Sequence, residues 1–217
     1  MIYSENILLC ISIPLLLTAV YTRGAARRSL AAFLVGMLTC LLSSYISGYL
    51  TLLAGMDLNG SAVYISPTAE EIMKLLPLLF YMIVFRPGEM TLTTFAISLG
   101  AGFATFENCC YLLSTGSESL AFTLVRGLAV GVMHIDCMLA MSLSLIMVRR
   151  YRVFSFATVV GCLSLAVVFH ALYNLLVAEQ GLPAYGGYVL PMLTALAFYW
   201  PYRKLREAWE RETRKTS

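Results

Sequence analysis

The chain has 217 residues, 59% of them hydrophobic and only 12% charged, with a mean hydropathy of +0.79. So little polar surface excludes a soluble domain of this size and marks an integral membrane protein of a single domain. The formal net charge of +3 makes no case for nucleic acid, because the basic residues follow the membrane boundaries instead of forming one basic face.

A spanning helix needs about 20 mostly apolar residues. Seven stretches qualify, at roughly 5–22, 30–55, 67–85, 92–114, 119–148, 153–179 and 186–203. The first has no basic segment before it and no small-residue cleavage motif after Arg23, so it reads as a retained span and not as a signal peptide. The second, with "LLSSYISGYL", offers small residues for helix contact and nothing that reads as chemistry. The third, "SPTAEEIMKLLPLLFYMIVF", opens at Pro67 and should be kinked by Pro77. The fourth contains Gly100, Ala101, Gly102 and Ala104, which let another backbone come close. The tail, residues 203–217, is basic and mildly amphipathic and is expected on the inner membrane surface. All six cysteines fall in apolar runs without CxxC spacing, as small packed residues rather than a disulfide framework.

Lysine and arginine set the orientation. Arg23, Arg27 and Arg28 lie in the first connection, Arg86 in the third, and Arg149, Arg150 and Arg152 in the fifth. Arg203, Lys204, Arg206, Arg211, Arg214 and Lys215 lie in the tail, and the second, fourth and sixth connections have none. Cytoplasmic loops carry the Lys/Arg excess. The expected fold is therefore all-α: a polytopic protein of the cell membrane with about seven transmembrane helices, N-terminus outside and C-terminus cytoplasmic. Residues 1–217 form one transmembrane domain, with the site on helices within 67–179.

Eight ionisable residues stand inside these spans: Glu70, Glu71, Lys74, Glu107, Arg126, His134, Asp136 and His170. Each costs on the order of 2.5–3.5 kcal/mol at mid-membrane on insertion scales, so together they demand mutual pairing or a wet cavity. At ~1.5 Å per residue, Lys74, Glu107 and His170 each lie roughly 10–14 Å below the outer helix ends, which points to one cavity open to the outer face. Glu70 and Lys74, four residues apart, are expected to pair, while Glu71, turned by about 100°, lacks a local partner. Arg126 is expected to neutralise an acid. His170 and Asn174 share a helix face and can hydrogen-bond or act on one ligand; Asp136, two residues from His134, faces elsewhere.

Glutamates and histidines in such a pocket suit water activation and proton transfer, with an imidazole or amide stabilising the oxyanion on a carbonyl. There is no HExxH motif, but Zn²⁺ can be held by ligands from separate helices. The candidate ligands are Glu71, Glu107, His134 and His170.

"AEEIMK" (69–74), "GAGFATFEN" (100–108), His134 and "FHALYN" (169–174) resemble, in that order, the PrsW family of intramembrane proteases. That family is itself distantly similar to the CAAX prenyl endopeptidase and bacteriocin-processing membrane proteases. The resemblance covers about half the chain. It implies hydrolysis of a membrane-tethered, single-span substrate on its extracytoplasmic side, an anti-sigma factor in relatives. It matches Glu70, Glu71, Glu107, His134 and His170 to catalytic positions, and Lys74 and Asn174 to supporting ones, with Asn108 and Arg126 beside them. Where wider relatives carry FxxxH, this chain has Phe103 and Glu107.

The expected function is thus a membrane-embedded endopeptidase, with Glu71 as general base and Glu70 held by Lys74. The alternative is a proton- or cation-coupled transporter, since intramembrane acids, histidines and bases also build relays.

Overall fold

A computed structural model describes residues 3–116, 119–151 and 155–216. Among these the chain is helical almost throughout. The helices are α1 (Ser4–Tyr21), α2 (Gly24–Ala54), α3 (Leu58–Gly60), α4 (Ser66–Phe85), α5 (Glu89–Thr115), α6 (Leu120–Tyr151), α7 (Ser155–Ala178) and α8 (Leu182–Thr216). A π-helical turn, Ser61–Ile65, joins α3 to α4. Arg152 lies outside the described residues, as do the side chains of Arg214 and Lys215.

Among the described residues, four helices are long and apolar enough to cross a membrane: Ser4–Tyr21, Gly24–Ala54, Leu120–Tyr151 and Phe156–Ala178. The sequence suggests seven spans; α4, α5 and α8 are the three outside this set. Helix α4 has a physical reason, since three of its 20 residues are Glu70, Glu71 and Lys74.

Helix α5 is the axis of the bundle, packed against α2 on one side and α6 on the other. The glycines explain how. A Cβ at Gly36 would lie 2.1 Å from the Leu99 carbonyl oxygen, and one at Gly102 would lie 2.0 Å from that of Phe33. Any side chain there would collide with backbone, so α2 and α5 approach as only glycine allows. The main core lies among α4, α5, α6 and α7, where Leu78, Leu92, Leu99, Met133, Met138, Met141, Leu145 and Tyr173 are all sealed. Helix α1 buries none of its residues fully and rests mainly on α2, with Ile7, Leu8, Ile11 and Leu15 packed against the smaller core cluster. Large apolar side chains elsewhere, such as Phe80, Ile83, Leu128 and Leu165, point outward, as a lipid-facing surface requires.

Helix ends follow local chemistry. Gly55, left-handed at φ 59°, closes α2: its N–H reaches Leu52 O and that of Met56 reaches Thr51 O, the doubled cap typical of glycine. Arg149 Nη1 donates to Pro87 O at 2.6 Å, tying the end of α6 to the α4–α5 turn. The basic start of α2, that turn, the end of α6 and the last part of α8 thereby meet at one end of the bundle.

The last helix extends past the apolar run expected to end near 203: α8 runs on through Pro191 and Pro201 and takes in residues 203–216. Arg203–Glu207 and Arg206–Glu210 pairs at i,i+4 support its exposed half, and Trp209 lies beside Arg28, Thr91 and Phe95.

Candidate active site

Four helices bring one polar cluster into the core. Helix α4 supplies Glu70, Glu71 and Lys74; α5 supplies Glu107; α6 supplies Arg126 and His134; α7 supplies His170. Gly100 sets the α5–α6 distance at the cluster, because a Cβ there would stand 2.8 Å from His134 O. The small-residue run thus positions a histidine directly.

The side chains form one continuous chain of contacts. His170 Nδ1–H donates to Glu71 Oε1 at 2.8 Å, and Lys74 Nζ donates to the same oxygen at 2.6 Å. Lys74 Nζ also reaches His134 Nδ1 at 2.8 Å, and His134 Nε2 meets Glu107 Oε2 at 2.5 Å. Glu107 Oε1 then lies 3.5 Å from Arg126 Nη2, whose guanidinium covers the Tyr111 ring at 3.4 Å. An ammonium has only hydrogens to give, so His134 Nδ1 accepts and Nε2 carries the proton towards Glu107. Glu71 and Lys74 are fully buried and paired through Oε1, as buried charges must be, while Glu71 Oε2 has no hydrogen-bond partner among the described residues. Glu70 and Glu107 remain 15% and 29% exposed, so the cluster is reachable from outside the core.

One local expectation is corrected. Lys74 pairs with Glu71, three residues back, and not with Glu70. Both spacings bring helical neighbours together; the histidines stand on the Glu71 side and decide between them. Nor does Asn174 hydrogen-bond to His170: its Nδ2 donates instead to Ala62 O at 2.9 Å in the π-helical turn. The charge balance expected of Arg126 is met by Glu107, as the 3.5 Å contact describes. Asn108 Oδ1 is buried without a hydrogen-bond partner among the described residues. Asp136 faces away, accepting from Thr194 Oγ1 at 2.5 Å. Tyr173 was missed by sequence reasoning. It is 1% exposed, three residues after His170 on the same side of α7, and its hydroxyl finds no partner among the described residues. The i,i+3 spacing was the available signal.

The donor set fits a divalent metal. One ligand atom each from Glu70, His134 and His170 lies within 4.8 Å of the other two. Glu70 Oε2 is buried with no hydrogen-bond partner among the described residues, 3.8 Å from His170 Nε2. With Nδ1 committed to Glu71, His170 leaves its Nε2 facing that oxygen, the arrangement in which a carboxylate would orient a ligand imidazole. His134 offers a lone pair only when Lys74 yields Nδ1. Glu71 and Glu107, expected among the ligands, stand one step out, each holding a histidine nitrogen. One glutamate and two histidines, with room for water, are the donors of catalytic zinc sites. All six cysteines are free and none joins the group.

No curated protein and no solved structure matches the chain significantly. Residues 24–200, well over half of the 217, match the description "PrsW family intramembrane metalloprotease". That stretch contains every residue of the buried cluster, and with the glutamate and paired histidines it holds, the chain belongs to the PrsW family of intramembrane metalloproteases.

Proposed function

We propose that this protein hydrolyses a peptide bond of a single-span, membrane-tethered protein near the extracytoplasmic face, with an anti-sigma factor as the substrate class. The observation that carries the reading is the convergence of Glu70, His134 and His170 within 4.8 Å, in a buried cluster whose carboxylates stay reachable.

In this reading Glu70, His134 and His170 hold a divalent cation, Zn²⁺ by donor type. A cation held there would supply Lewis-acid polarisation of the scissile carbonyl and lower the pKa of a bound water towards neutral. Glu107, the most exposed carboxylate of the cluster, takes the proton from the attacking water and passes it to the leaving amine. Arg126 balances its charge. Glu71, fully buried with its Oε1 held by Lys74 and His170, is assigned as a positioning residue rather than the base, because it is out of reach of bulk water while Glu107 is not. Asn174 holds the π-helical turn that precedes the paired acids.

The proposed topology has seven spans in one domain, N-terminus outside and C-terminus cytoplasmic, in the cell membrane. The gathering of basic helix ends supports it, as does the position of Glu70 and Glu71 near the start of α4, at the far end from Arg86.

The test is incubation of the purified protein with candidate single-span substrates, with and without a chelator. Cleavage lost on chelation and restored by Zn²⁺ is expected. Substrates left intact, with ion flux in proteoliposomes, would move the case to the coupled transporter; cleavage indifferent to chelation would remove the metal.

A further inference from the structure

A second cleft lies at the basic end of the bundle, outside the polar cluster. Its volume is about 720 Å³, within the roughly 300–1,000 Å³ typical of small-molecule sites. Arg149 and Arg150 at the end of α6, and Lys204 on α8, give it three cations; Glu89 is its one acid. Neither arginine forms an ion pair with Glu89 or another acid among the described residues. Arg149 spends one donor on Pro87 O, leaving four of its five. The remaining lining is apolar, from Met90, Leu143, Ile146, Met147 and Leu205.

Both tryptophans of the protein, Trp200 and Trp209, line this same cleft. They are 63% and 49% exposed, and Lys204 Nζ sits 3.5 Å over the Trp200 ring. Indole rings belong at the level of lipid headgroups, and basic pockets between helices there take anionic heads. A cationic rim over an apolar floor matches an amphiphile with a negative head, and a free anion would leave that floor unused.

We propose that this cleft binds an anionic phospholipid, its phosphodiester held by Arg149, Arg150 and Lys204 and its acyl chains laid along Leu143 and Met147. The site ties the exposed half of α8 to the membrane surface and stands independently of the proteolytic reading.

The tryptophans make the test specific, because both report from the cleft. The full chain in neutral detergent is titrated with short-chain phosphatidylglycerol, phosphatidylcholine, or glycerol phosphate, and tryptophan emission is followed. Phosphatidylglycerol should shift the emission saturably and the other two should not. Arg150→Gln with Lys204→Gln should weaken the response roughly tenfold or more. Arg23→Gln with Arg27→Gln removes equal charge from exposed positions outside the cleft and should leave it unchanged. Equal response to phosphatidylcholine, or equal weakening by both double variants, would overturn the site. Saturation by glycerol phosphate would assign it to a soluble phosphate and overturn the lipid. Far-UV helicity of each variant checks that the fold is retained.

Discussion

Replacing Gly100 with alanine tests the link between the glycine-mediated packing and the active site. The added Cβ would stand 2.8 Å from His134 O and 3.2 Å from both His134 C and Ile135 Cα. Ordinary contact begins at about 3.4 Å, so α6 must retreat by 3.4 Å less 2.8 Å, about 0.6 Å, since backbone on both sides cannot fold out of the way. Overpacking of this kind costs about 1–3 kcal/mol. The larger effect is on chemistry, because the displaced backbone carries His134. A 1 Å misplacement can cost about 100-fold, so kcat/KM should fall by about tenfold or somewhat more. The assay is cleavage of a single-span substrate, measured well below each variant's unfolding midpoint. Gly127→Ala and Gly131→Ala are the controls, since both lie on α6 with nothing within 4 Å of a new Cβ; they should keep full activity. A Gly100→Ala enzyme with wild-type rate and wild-type midpoint would refute the proposition that this contact sets the histidine's position.

The two adjacent glutamates should separate experimentally. Glu70→Gln is expected to abolish cleavage with an unchanged unfolding midpoint, because Glu70 pairs with no cation closer than 3.8 Å. Glu71→Gln should also lower stability, by about 3–5 kcal/mol, because it strands the buried Lys74 ammonium; equal midpoints in detergent would contradict that pairing. For the metal, His170→Ala should lower bound zinc in elemental analysis of dialysed protein, and retention of full stoichiometry would exclude His170 as a ligand. Asp136→Asn should change cleavage by less than about twofold, since its carboxylate contacts Thr194 away from the cluster; a large loss would bring Asp136 into the chemistry.

How much of this was legible in the sequence differs from one residue to the next. The helical, membrane-embedded class follows from composition, and the glycines of α5 could be read as a close approach because small residues have few other uses in an apolar helix. The company of Glu70, His134 and His170 could be suspected, since ionisable groups in apolar helices must find one another. Which acid meets Lys74 could not be read, because i,i+3 and i,i+4 neighbours compete on equal terms and a histidine 99 residues away settles the matter. The partner of Asn174 could not be read, because it is a backbone carbonyl in a π-helical turn, which no residue pattern in 61–65 announces. The length of α8 escaped because prolines and charges signal an end to an apolar run, whereas here the helix continues through them.

The turn at Ser61–Ile65 is fastened on both sides, by the Ser61 hydroxyl to Thr51 of α2 and by Ala62 O to Asn174 of α7. Its closing bond runs from Ser66 N–H to Ser61 O, so the winding takes up one residue more than an ordinary helical turn. That surplus residue works as a phase adjuster between the two moorings and the acidic stripe of α4. Deleting any one residue of the turn would rotate Glu70 and Glu71 by about 100° relative to Thr51 and Asn174, swinging the acids away from both imidazoles while every one of those side chains remained in the protein.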